Sequence, residues 1–168
     1  QEGIKAECAK LQKALDVFHI PLKLVVGADA HLVPELLEGL KTGRVPTLND
    51  SRYFLLEPSH HVPPPNFEES VFQISAAGYV PVLTHPERLV WIEQSYATFV
   101  RLAQRGVWMQ LTAGAILGKF GKRARYWSER MLDEGLVHLV ASDAHTISMR
   151  SPKMADARER LVQLMGQA

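Results

Sequence analysis

Three short apolar runs, "LKLVVGAD" (22–29), "YFLLE" (53–57) and "YVPVLTH" (79–85), end in Asp29, Glu57 and His85, at successive intervals of 28 residues. A strand, a crossover helix and their loops take about 30 residues, so this period predicts successive βα units. Helical segments separate the runs. Pro34 lies early in a short helix closed by Gly43, and residues 66–78 carry Asn66 as N-cap, Glu69 three positions on and Gly78 at the C-terminal end. The alternation continues with a helix near 94–105, a strand at 107–111, a helix at 122–135, a strand at 136–142 and a last helix over 152–165. Ahead of it all, Ile4, Cys8, Leu11, Leu15 and Phe18 fall at the spacing of an amphipathic helix over 4–18. Such an order predicts an α/β fold, a single domain of parallel strands alternating with helices through right-handed crossovers.

In a barrel of parallel strands the C-terminal ends meet on one face, and that face holds the chemistry. From His85 to Asp143 is 58 residues, about two more units, so acid or imidazole groups recur at four strand ends. In "LVASDAHTISMR", His145 stands two positions beyond Asp143, a spacing that puts both side chains on one face of an extended segment. Taken alone, Asp143 reads equally as a helix cap; the recurrence favours a shared site. Oxygen and imidazole donors without thiolate suit Mn, Fe or Zn. Several carboxylates on one face repel one another unless cations neutralise them, which implies more than one ion. Adjacent divalent ions are a device for hydrolysing phosphate esters. Arg88, three beyond His85, and Arg150, five beyond His145, add guanidinium forks that match phosphate oxygens, although each taken singly reads as a surface residue.

Charge excludes some partners. With 19 basic against 18 acidic side chains, the chain has no broad electrostatic basis for binding nucleic acid or an anionic membrane. Its apolar stretches fall short of the ~20 residues that membrane insertion needs. The one cysteine, Cys8, excludes an intrachain disulfide and suits a reducing, cytoplasmic setting; it reads as a small apolar contact on its helix.

The segments "GADAHLVPELLEGLKTGRVPTLNDSRYFLLEPS", "VLTHPER", "MQLTAGAILGKFG" and "HLVASDAHTISMRSPKM" together resemble the bacterial capsule-type tyrosine-protein phosphatases of the polymerase and histidinol phosphatase (PHP) superfamily. The resemblance implies a partial, distorted (β/α)7 TIM-like barrel of the PHP type. It also implies a multinuclear, usually manganese-containing site of roughly two or three divalent ions, with Fe or Zn as alternatives. Carried over position by position, Glu57, His85, Asp143 and His145 become metal ligands, and Arg88 and Arg150 bind phosphate. Asp29 joins the ligands where the family generally has glutamate. The implied substrate is phosphotyrosine on a bacterial tyrosine autokinase that governs capsular and exopolysaccharide synthesis.

The family's opening His-x-His strand has no counterpart in this sequence, and five strands are too few to close such a barrel. The chain is therefore expected to lack N-terminal βα units. His19, His31, His60, His61 and His138 do not restore the pair; His60 and His61 are adjacent, hence opposed on any strand, and "HHVPPP" reads as a rim loop. Two alternatives remain: a phosphoesterase for a small metabolite such as histidinol phosphate, or an inactive remnant or binding module that docks a kinase tail. Substrate choice lives in rim loops.

Overall fold

Along the second run, Phe54 and Leu56 are fully buried while Tyr53, Leu55 and Glu57 are half-buried, the two-residue period of a strand with unlike faces. The computed structural model describes residues 2–146, 148 and 150–166. In chain order the elements are α1 (Glu2–Val17), β1 (Asp29–His31), α2 (Leu36–Lys41), β2 (Tyr53–Glu57), α3 (Phe67–Ala76), β3 (Val80–Thr84), α4 (Ile92–Gln104), β4 (Trp108–Thr112), α5 (Ala113–Ile116), α6 (Gly121–Asp133), β5 (Leu139–Ala141) and α7 (Met154–Met165). Short 3-10 turns cover Leu48–Asp50 and Pro86–Arg88.

All four strand pairings are parallel, and the order across the sheet is β1-β2-β3-β4-β5. Sequential order is that of a barrel wall, here an open arc, in contrast to doubly wound sheets, whose order reverses. On one face Phe54, Leu56, Leu83, Met109 and Leu111 join the core with Val71 and Ile74 of α3, Phe99 and Leu102 of α4, and Trp127 and Met131 of α6. The register sets the other face: His31 pairs with Glu57, Leu56 with Leu83, and Thr84 with Gln110. Asp29, His31, Glu57, Thr84 and Gln110 therefore share one side of the sheet, near its C-terminal edge.

Three expectations need correction. Residues 22–28 do not form a strand; Asp29 opens β1 and His31 closes it. The backbone of that segment is paired elsewhere: Gln12 Oε1 accepts from Leu24 N–H at 2.8 Å, Gln12 Nε2 donates to Leu22 O at 3.0 Å, and Asn49 N–H donates to Val26 O at 2.8 Å. The helix at the start is present, but Ile4, Leu11 and Phe18 of its apolar stripe stay exposed. Asn66 precedes α3 in a left-handed conformation, φ 52°, and its side chain makes no capping bond.

The turn after β3 is tied down by a buried acid. Glu87 is fully buried, its Oε1 accepts from Thr112 N–H at 3.0 Å, and its Oε2 has no hydrogen-bond partner among the described residues. Burial pushes this carboxyl up to about 7, against the lowering effect of the Thr112 bond. The fold thus holds the Glu87 proton more tightly than an unfolded chain does. Stability from this group is fully present below the ordinary carboxylate range and is lost as pH rises to about 7. Glu87→Gln cannot ionise, so its melting temperature relative to the native protein should rise between about pH 5 and about pH 8. A difference that stays constant across that window in thermal melts would place the carboxyl in water.

Candidate metal and phosphate site

Glu57 ends β2, His85 follows β3 and Asp143 lies two residues past β5, so parallel pairing brings all three to one edge of the sheet. There they divide between two groups. In the first, His85 Nε2 lies 3.1 Å and His60 Nε2 3.3 Å from Glu57 Oε1, while His31 Nδ1 lies 3.5 Å from Oε2. Thr84 Oγ1 donates to Asp29 Oδ1 at 3.4 Å and to Leu56 O at 3.3 Å, which joins Asp29 to this group through β3. In the second group Asp143 Oδ2 accepts from Arg88 Nη1 at 2.6 Å and also from Arg150 Nη2. His145 is exposed at this end, with Nδ1 2.9 Å from Asp143 O and Nε2 3.4 Å from Arg150 Nη1. It does not reach Glu57 or His85, because the chain past β5 has left the extended conformation: Asp143 has φ 50°. Asp143 does not cap a helix; both guanidiniums hold it.

His85 also adopts the left-handed region, φ 38°, uncommon for a residue with a Cβ, and Pro86 starts the turn after it. The turn aims the imidazole at Glu57 and the Arg88 head at Asp143. Arg88 stacks 4.4 Å over the Phe120 ring centroid, and Arg150 lies 6.0 Å from it. Gly114 makes room for that ring, since a Cβ there would lie 2.8 Å from Phe120 Cε2. Arg123 of α6 donates to Leu89 O at 2.8 Å and Val90 O at 2.7 Å and fixes the turn from outside. Beside Arg150, a cavity of ≈ 330 Å³ is bordered by Phe120, Ser142, Asp143, Lys119 and Lys153.

Electrostatics differ between the groups. Burial, then the Arg88 charge, lowers His85 to about 4, so its ring is neutral and free to donate a lone pair. Its Nε2 faces Glu57 Oε1, and its buried Nδ1 has no hydrogen-bond partner among the described residues. The Asp29 carboxyl is raised to about 6 by the loss of surrounding water and then by the Glu57 charge, although the residue as a whole remains exposed. Oxygen and imidazole donors, a neutral buried histidine and crowded carboxylates fit a divalent first-row ion. His60, in the loop that the sequence places at the rim, also stands in the first group. Its three-residue step from Glu57 fixes no geometry in a loop, and of the two adjacent histidines His61 is the exposed one.

The family model for capsular polysaccharide synthesis proteins CpsB/CapC matches residues 1–168. The chain belongs to the CpsB/CapC family. It is 34% identical over 151 residues to CapC of Staphylococcus aureus, covering 89% of this chain and 58% of that protein. To the tyrosine-protein phosphatase YwqE of Bacillus subtilis it is 33% identical, covering 89% and 59%, and to the tyrosine-protein phosphatase CpsB of Streptococcus pneumoniae 31%, covering 86% and 62%. A solved structure from work on YwqE and CpsB, called unique metal-dependent tyrosine phosphatases, superposes with a TM-score of 0.91 at 30% identity, over 98% of this chain and 66% of that one. The chain thus spans about three fifths of the length of these curated relatives.

The Asp29 carboxyl of this CpsB/CapC chain offers a direct check on the first group. Glu57→Gln removes the neighbouring negative charge but leaves the crowding, so in the metal-free protein Asp29 should titrate below its native midpoint of about 6 while staying above an ordinary aspartate. Carboxyl carbon NMR reads this; an unmoved midpoint would separate the two residues.

Proposed function

We propose that this chain carries the active centre of a metal-dependent protein-tyrosine phosphatase that acts on a phosphotyrosine protein, a bacterial tyrosine autokinase controlling capsular or exopolysaccharide synthesis. The single observation that supports it best is the convergence of Arg88 and Arg150 on one carboxylate oxygen of Asp143, at the sheet edge that also carries Glu57 and His85. Membership of the CpsB/CapC family and likeness to metal-dependent tyrosine phosphatases add to it.

In this reading Asp29, Glu57, His85, Asp143 and His145 hold divalent ions, Mn²⁺ first among them. When bound, such ions supply an activated water and neutralise charge on the phosphoryl group. The chain's own residues do the rest. Arg88 and Arg150 present forked donors to the phosphoryl oxygens, and Phe120 keeps the Arg88 plane in place. Asp143 holds both heads together when no phosphate is present. Neutral His85 keeps a lone pair available where a protonated ring would repel a cation. Lys119 and Lys153 border the cavity beside Arg150 and favour an anionic ligand there. No described helix is long and apolar enough to cross a membrane, and a lone cysteine agrees with a cytoplasmic site of action.

The test is an assay of the protein on a phosphotyrosine peptide and on histidinol phosphate, with and without Mn²⁺. Preference for the peptide, dependent on the ion, is the expected result; preference for histidinol phosphate would move the assignment to a small-metabolite phosphoesterase. Arg150→Lys keeps the charge but loses the planar fork, and should lower kcat/KM about tenfold or more, the loss of a charge-assisted bond worth ~1.5 kcal/mol. His85→Ala should release metal, read by elemental analysis, and lose most turnover. Unchanged metal content and rate would remove His85 from the ligands.

A further inference from the structure

His60 lies outside every strand, yet it closes the donor cluster. One ligand atom from each of Glu57, His60 and His85 lies within 4.8 Å of the others. Both imidazoles face the same carboxylate oxygen, with their rings 4.8 Å apart and tilted by 38°. The loop that carries His60 is anchored on each side of this arrangement. Ser59 O accepts from the indole N–H of Trp91 at 2.8 Å, and His60 O accepts from Val90 N–H at 3.0 Å. Trp91 is itself locked in the core, stacked 5.3 Å from Phe99 and edge-on to Phe67. Pro58 before the histidines and Pro63, Pro64 and Pro65 after them restrict the backbone further. His60 is therefore held at Glu57 by the fold, a condition for a built site.

We propose that His60 is a metal ligand of this protein, completing with Glu57 and His85 a site of two imidazoles and one carboxylate for a first-row divalent ion. The inference rests on the metal-dependent reading above and adds a donor to it. Two imidazoles and a carboxylate are a donor set that binds such ions while leaving coordination positions open. His61, next in sequence, is exposed and takes no part. His31 approaches Glu57 by the other oxygen and is itself exposed to solvent.

The experiment titrates the chain with Co²⁺, following the visible d–d absorption together with calorimetry. His60→Ala should weaken Co²⁺ binding about tenfold or more, at least what losing an outer-shell partner costs, and should alter the d–d spectrum. His61→Ala should change neither. His60→Cys should retain binding and add a sulfur-to-cobalt charge-transfer band in the near ultraviolet, a signature that loop damage does not produce. Wild-type affinity and spectrum in His60→Ala, or no charge-transfer band in a Co²⁺-loaded His60→Cys, would overturn the ligand role of His60 alone. A wild-type chain that takes up no Co²⁺ would overturn it together with the metal-dependent reading.

Discussion

A parallel sheet forces every strand to end on the same edge, and the rest of this site depends on that constraint. Each return needs a crossover, so consecutive strand ends stand one βα unit apart in sequence and one strand spacing apart in space. The buried row Phe54, Leu56, Leu83, Met109 and Leu111 locks the register, because a slip of one residue would turn Glu57 and Thr84 into the apolar layer. Glu57, Thr84 and Gln110 stand side by side for the same reason that the core is filled. The site's alignment is a consequence of hydrophobic packing on the opposite face.

The turn after β3 then links what the sheet aligns. Within seven consecutive residues, His85 faces Glu57, Glu87 holds the end of β4, Arg88 holds Asp143, Leu89 and Val90 accept from Arg123, and Trp91 holds Ser59. This concentration has a cost. A buried carboxyl with one unpartnered oxygen and a left-handed histidine both oppose folding. They persist beside the clustered donors because surrounding contacts over-determine the turn.

The sequence made legible what depends on period and residue type. The alternation of strands and helices, and the meeting of Glu57, His85, Arg88 and Asp143 at one edge, follow from apolar runs closed by polar groups. Pairing was not legible. Residues 22–28 have the composition of a strand, but composition reports a taste for burial and not which backbone bonds form; here Gln12 and Asn49 take them. The interval of 28 residues was real but did not match the register: His31, not Asp29, stands opposite Glu57, and Asp29 lies on the same face two pairs earlier, opposite Leu55. His60 was invisible for a related reason. Its position is set by Trp91, 32 residues beyond Ser59, and no local periodicity records such a contact. The double claim on Asp143 depends on two loops folding toward each other, which spacing alone does not specify.

Charge divides the edge into unlike halves. Among the described residues, Glu57 meets only imidazoles and Asp29 only the Thr84 hydroxyl, and burial, then the Glu57 charge, raises the Asp29 carboxyl to about 6. Across the sheet Asp143 has two guanidiniums, with Lys119 and Lys153 around the adjoining cavity. One half is short of positive charge and the other rich in it. Such a division favours a cation beside Glu57 and an anion beside the guanidiniums. His85 and Arg88 meet the two halves from a single turn, one residue on each side, and the buried Glu87 between them ties that turn to the end of β4.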